Sequence, residues 1–439
     1  RDTAYQGLPF TRRKQLHRLA AEAIEARSPD KTAVASLLSQ HYAEARAHGP
    51  AWTYSLLAAE VARAQNATSE AAAALERAIT AARYCDAEAS QQADVAAELG
   101  DLYYVLGNFD AAAKSIQRAR RSNEDPVVDV ALMRKIGSVE ERRGRPMHAV
   151  RWLHRAAAKI PTRTSGRTWL SERSQLLLAE AGIRSRAGDN LGCLTLAERA
   201  LRDAERADDE KSVALALERV HLALVFLRRP DEERAGERAL EIHLRRHDTQ
   251  AVARTQINLG VAAYFESSWS DASTWYLAGL ESAEAAGNVV MSANAAINSA
   301  EVLADQGSWQ RAVELIDGAI RNFEAVDYRP GIGAALLFSA VPAMRRGDVD
   351  DASDRLDRAE RILEDLGMAE LLDDLATRRL ELDLLCGEFD LARCARVVER
   401  LSREHPLHNR LLRVQGLGLL DENPDEAAQL LAAARDTPA

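Results

Sequence analysis

Apolar residues along this chain recur at three- and four-residue intervals, the spacing that lines one face of an α-helix. The blocks VAAELGDLYYVLG (95–107) and ARTQINLGVAAYF (253–265) show it plainly, and each predicts a helix. After each comes a short polar turn and then a second apolar block. The second blocks align with one another: LGNFDAAAKSIQRA (106–119), SSWSDASTWYLAGL (267–280), GSWQRAVELIDGAI (307–320), GDVDDASDRLDRAE (347–360) and GEFDLARCARVVER (387–400). Each reads glycine or serine, any residue, an aromatic or Val, two residues, alanine. The predicted unit is helix, turn, helix.

The unit repeats. Its alanine falls at Ala272, Ala312, Ala352 and Ala392, a constant step of 40 residues. Upstream the same slot is expected at Ala71, Ala112 and Ala149, then at Cys193 and Glu232, and Ala427 closes the series after a shorter step. This gives about ten repeats, regular from roughly residue 250 onward and degenerate between 190 and 240.

Small residues fall where two helices must approach. Gly100, Gly137 and Gly260 of the first helix stand against Ala112, Ala149 and Ala272 of the second. Enlarging one is expected to overpack the pair by ~1 to 3 kcal/mol. Gly107, Gly144, Gly307, Gly347 and Gly387 sit where the first helix stops, at a left-handed position that costs glycine least. Asp110, Ser270 and Asp390 are expected N-caps, and Trp269 and Trp309 are expected to wedge between helices.

This pattern resembles the tetratricopeptide repeat, whose unit of about 34 residues carries Gly and Ala at these relative slots. Pro161 occupies the family's proline position after the second helix of the unit containing Gly137. The resemblance implies an all-α, right-handed superhelical solenoid, with longer helices or wider loops than the family's standard unit. Stacked units of this kind bury a face that none buries alone, and they leave a groove lined by the first helices. On that face Asn258 and Asn298 share one register, 40 residues apart, with Arg254, Tyr264 and Asn294 as neighbours. An amide both donates and accepts, which suits it to holding an extended peptide backbone; the plainer role is a local backbone bond.

A second resemblance lies at the start, where AYQGLPFTRRKQLHRLAAEAIE and LLSQHYAEA (37–45) look like the stretch joining an ATPase module to its repeats. The matching strings are Ala4, Tyr5, Leu8 and Pro9, then Arg12, Arg13 and His17. Residues 1–45 are accordingly expected to be a helical junction, the remnant of an ATPase or winged-helix region, and 46–439 the repeat array. The segment is most similar to class III adenylate or guanylate cyclases carrying an NTPase module and a tetratricopeptide tail. STAND-type transcriptional regulators with LuxR-like DNA-binding ends are the alternative. Because the chain opens on Arg1, it is expected to be a fragment whose catalytic half lies upstream.

Composition narrows the chemistry. A net charge of -10 opposes wholesale binding to nucleic acid or anionic lipid. Four cysteines without CxxC spacing fit a reducing cytoplasm rather than a disulfide framework or zinc ribbon. No GxxxxGK[ST], GxGxxG or GxSxG occurs, so no cofactor and no catalytic residue is expected. His243 and His247 are spaced to share a helix face, and His405 and His408 bracket a Pro-Leu pair, but neither brings a carboxylate ligand and no metal is expected. The Asn66 sequon is spelling alone. Residues 101–170 carry 14 basic and 7 acidic residues, whereas 301–439 carry 17 and 28. An acidic partner is therefore expected near Arg134 and Lys135. The partner is a protein or peptide, or the parent's own ATPase or cyclase module.

Overall fold

A computed structural model describes residues 9–65, 67–162, 166–400 and 407–436. Ala4, Tyr5 and Leu8 of the junction string, Asn66 and His405 lie outside the described residues. All regular structure among the described residues is α-helical, in 22 helices. The chain divides into two compact units, residues 1–228 and 229–439.

Unit 1 opens with α1 (Phe10–Arg27) and α2 (Ala35–Glu44). Four helix hairpins follow: α3 (His48–Ala64) with α4 (Thr68–Ala82), α5 (Ala89–Val105) with α6 (Phe109–Ser122), α7 (Pro126–Arg142) with α8 (Pro146–Ala157), and α9 (Arg167–Arg186) with α10 (Asn190–Ala207). The unit ends on α11 (Glu210–Phe226). Unit 2 starts with α12 (Ala235–Arg245) and continues through α13 (Thr249–Phe265) with α14 (Trp269–Ala285), α15 (Val289–Asp305) with α16 (Trp309–Ala325), and α17 (Arg329–Arg345) with α18 (Val349–Leu366). The last pairs are α19 (Ala369–Cys386) with α20 (Leu391–Arg400) and α21 (His408–Gly418) with α22 (Pro424–Asp436). The expected fifth repeat, with its slot at Glu232, falls on α11 and α12, which belong to different units.

Why these residues make hairpins is visible at each turn. Gly107, Gly144, Gly307, Gly347 and Gly387 all have φ between 71° and 81°, so the first helix ends in the left-handed region that favours glycine. The second helix then begins on a cap. Asn108 accepts from the Ala111 amide, and Asp348 from the Asp351 amide. The caps correct two expectations: Asp110 and Ser270 sit inside the first turn, and the N-cap residues are Asn108 and Ser268. Asp390 does cap α20, accepting from the amides of Ala392 and Arg393.

The repeated slot has a backbone definition. It is the fourth residue after the cap, the first whose N–H bonds the cap carbonyl: Ala112 to Asn108 at 2.9 Å, Ala312 to Ser308 at 3.1 Å, Ala352 to Asp348 at 3.0 Å. Ala112, Ala149, Ala272, Ala312 and Ala352 are all 0% exposed. Gly100, Gly137 and Gly260 face the residues four beyond the slot, where an added Cβ would meet Ile116, Leu153 and Tyr276 at 2.5, 3.1 and 2.5 Å.

Four expectations fail here. Ala392 is exposed, because α20 starts two residues late and Cys394 takes the buried slot, its amide bonding the Asp390 carbonyl at 3.0 Å. Glu232 is exposed and precedes α12, whose buried positions begin at Ala235. Trp269 and Trp309 do not wedge into the core: they remain 40% and 37% exposed, and the Trp309 indole donates to the Ala304 carbonyl at the end of α15. His247 lies beyond the end of α12 with φ of 54°, so it shares no helix face with the buried His243.

Candidate partner-binding groove

The first helices of unit 2 pack side by side, α13 on α15, α15 on α17 and α17 on α19. Residues 40 apart therefore come into line across them. The register of Asn258 and Asn298 continues to Phe338 and Arg378, and a neighbouring register runs Val261, Glu301, Val341 and Glu381. Between these helices lies an open cavity of about 300 Å³, with Tyr264, Glu301, Asp305, Phe338, Arg378 and Arg410 on its walls. A second cavity of about 300 Å³ shares Val341 and is walled by Met344, Arg345, Glu381, Leu384 and Arg413.

Its charges are interlocked. Arg378 is 3.2 Å from Asp374 and 3.7 Å from Glu381, and Arg410 is 2.7 Å from Glu381. The Tyr264 hydroxyl donates to Asp305 at 2.5 Å. Burial and the carboxylates of Glu301 and Asp305 push the tyrosine's ionisation upward, so it stays a neutral donor. Glu301 is reachable from the groove but crowded by protein, and among the described residues it has no hydrogen bond or ion pair. That crowding raises its carboxyl above the ordinary value; Arg378 opposes the shift, while Asp305 and Asp374 add to it. Glu381 is raised for the same first reason, with Arg378 and Arg413 pulling it back. Taken together, the groove offers donors, acceptors, a flat aromatic face and both signs of charge.

The expected site residues divide. Asn258 and Asn298 are half-buried on the same face, and among the described residues neither amide side chain has a hydrogen-bond partner. Tyr264 lines the first cavity. Asn294 is exposed, and Arg254 is half-buried and engaged in interactions of its own. Arg134 and Lys135 have different partners: Arg134 lies 3.5 Å from Glu172, whereas Lys135 bonds Asp101 at 2.6 Å. Glu301, Phe338, Glu381, Arg378 and Arg410 line the groove and are not among the expected site residues. Continuing the 40-residue step from Asn298 reaches Phe338 and Arg378, so that signal was present; Arg410 lies past the frame shift at α20. Among the described residues no group of His, Cys, Asp or Glu is arranged to hold a metal, and no helix is long and apolar enough to cross a membrane.

Residues 97–163 match the family described as Tetratricopeptide repeat. This is the segment holding the two hairpins with Gly100 and Gly137 against Ala112 and Ala149. No curated protein matches the chain. Among solved structures, a Rap protein complexed with competence and sporulation factor aligns with 79% of this chain and 97% of its own, at 15% identity and a TM-score of 0.59. Aspartyl phosphate phosphatase F from Bacillus subtilis aligns over 80% and 94%, at 11% identity and a TM-score of 0.56. A STAND protein with a tetratricopeptide repeat sensor from Pyrococcus horikoshii covers 82% of this chain at 13% identity and a TM-score of 0.51, and this chain spans 54% of it. At these identities the likeness is one of fold: the chain is an all-α array of tetratricopeptide-like hairpins, an architecture used for protein–protein interaction.

Proposed function

We propose that the chain is a non-catalytic recognition module of a larger signalling protein, and that it holds an extended protein segment along the first helices of unit 2. The observation that carries this is the register Asn258, Asn298, Phe338, Arg378, one residue per repeat along one face, ending in an open cavity. A ligand that repeats its backbone groups is matched by a surface that repeats its side chains. Two unpartnered amides offer donor and acceptor to such a backbone. The Rap protein solved with competence and sporulation factor, and the STAND protein with its tetratricopeptide sensor, support a sensing role on this fold.

The finer reading is that the parent is an adenylate or guanylate cyclase, supported by the Arg12, Arg13 and His17 string. The alternative, an inducer-sensing STAND transcriptional regulator, is supported by the Pyrococcus neighbour. Cyclase residues and a P-loop encoded upstream favour the first parent; a DNA-binding helix-turn-helix encoded downstream favours the second.

The test is a phage-displayed library of random twelve-residue peptides selected on the full chain, followed by anisotropy titration of the peptides obtained. Arg378→Glu and Asn298→Ala are each expected to weaken binding about five- to tenfold, the loss of one or two polar contacts. Selected peptides whose affinity neither change moves would sink the unit 2 groove as the binding face.

A further inference from the structure

Three first helices of unit 1, α7, α9 and α11, enclose an open cleft of about 340 Å³. Four cations line it, Arg134, Arg186, Lys211 and Arg219, and Glu141 is the carboxylate among them. In a protein of net charge -10 such a surplus does not arise from composition. Gly182 shows how tightly two of these groups converge. A Cβ added there would lie 3.3 Å from Nη2 of Arg186 and 3.5 Å from Nη2 of Arg219. Arg186 bonds Glu141 and Arg219 is engaged in an interaction of its own, yet the two positive ends converge on one spot, where a carboxylate set between them is attracted by both.

The remaining groups are unevenly compensated. Arg186 bonds Glu141 yet keeps its side chain 57% exposed. Lys211 is exposed and has no ion pair among the described residues. Arg134 Nε is buried, 3.5 Å from Glu172, and neither atom of that pair has a hydrogen bond among the described residues. Leu178 and Leu215 supply an apolar floor between the charges, where the methylenes of long acidic side chains pack. Neighbouring helix axes lie roughly 8–10 Å apart, so cations drawn from three helices span more than one small anion reaches. Alternate side chains of an extended strand recur at about 7 Å, close to that spacing.

We propose that this cleft seats an acidic protein segment, one carboxylate bridging Arg186 and Arg219 above Gly182 and a second held by Lys211. The proposal rests on the recognition-module reading but concerns a different unit from the groove of Asn298 and Arg378.

The probe is a fluorescein-labelled octaglutamate peptide titrated against the full chain by anisotropy. Saturable binding is expected at low salt, weakening severalfold as added salt screens the charges. Lys211→Glu and Arg186→Glu are each expected to lower affinity by at least about fivefold. Lys135→Glu, whose ammonium is paired with Asp101 outside the cleft, is expected to change it by less than about twofold. Equal loss from all three variants would reduce the effect to a diffuse field and overturn the site. So would absence of saturable binding by a chain with an intact helical circular-dichroism signal, and so would displacement of the peptide by equimolar inorganic phosphate, which would make the cleft a small-anion site. If octaglutamate fails while library peptides still bind and respond to Arg378→Glu, only the cleft falls; if both fail, the recognition reading falls with it.

Discussion

Gly260 lies flat against the ring of Tyr276: a Cβ at residue 260 would stand 2.5 Å from both Cδ1 and Cε1. The ring is 2% exposed and cannot swing aside. Gly260→Ala is therefore expected to destabilise the protein by ~1 to 3 kcal/mol through overpacking, read as a lowered urea midpoint. Gly318 provides the contrast. It too lies inside a helix, but a Cβ there meets only the far end of Arg321 at 3.7 Å, so Gly318→Ala is expected to stabilise by about 0.5–1 kcal/mol on helix propensity. Equal effects of the two changes would mean that backbone entropy, and not the Tyr276 contact, sets the cost at residue 260.

The frame shift at α20 gives a second test. Ala352 and Cys394 are both fully buried at the slot where the second helix meets the first, and Ala392 is exposed. Ala352→Leu and Cys394→Leu are expected to cost ~1 to 3 kcal/mol each, while Ala392→Leu stays within about 0.5 kcal/mol. Urea midpoints of the three variants decide whether the slot follows the 40-residue step or the helix start.

The repeat was legible because close packing forbids bulk at Ala112, Ala149, Ala272, Ala312 and Ala352, and that prohibition writes itself into the sequence. It failed at Ala392 because a helix slot is counted from the cap, and Asp390 caps two residues later than Ser308 or Asp348 do. The groove was half legible. One step of 40 beyond Asn298 leads to Phe338, but the carboxylates of the adjoining register carry no signal until the helices are laid side by side. Counting charge along residues 101–170 paired Arg134 with Lys135, yet consecutive helical residues point about 100° apart. Arg134 faces the cleft and Lys135 turns to Asp101. Lys211 and Arg219, which complete the cleft, are distant in sequence and near only in the fold.

At the start of unit 1, Glu25 accepts hydrogen bonds from the hydroxyls of Tyr42 and Tyr54, whose rings stack at 5.6 Å. The Tyr42 and Tyr54 bonds, with Lys31 nearby, hold the Glu25 carboxyl below its ordinary value of 4.5. A carboxyl lowered on folding contributes stability that is present above its unfolded value and lost as pH falls through the folded one. Glu25→Ala is expected to cost about 1 kcal/mol at pH 7, the net worth of a hydrogen bond, and less at pH 3, below the ordinary carboxyl value. Hydrogen exchange of the α1 and α2 amides, whose docking this contact ties, checks both values. A cost undiminished at pH 3 would assign the effect to packing instead.

Glu301 predicts the opposite slope. Its folded carboxyl is raised above the ordinary 4.5 by crowding in the groove, against the pull of Arg378 and with the push of Asp305 and Asp374. A raised carboxyl binds its proton more tightly in the folded state, so its favourable contribution is complete below the unfolded value and disappears as pH climbs through the folded one. Acidification from pH 7 toward 5 should therefore stabilise the wild type relative to Glu301→Gln, which has no proton to gain. Arg378→Met removes the cation that opposes the shift, so the pH-dependent gain should grow and extend to higher pH. Thermal midpoints of the three proteins at pH 5, 6 and 7 separate these outcomes. Parallel curves for wild type and Glu301→Gln would mean that the groove solvates Glu301 as freely as bulk water, and that its charge is available to a ligand without the cost of holding it there.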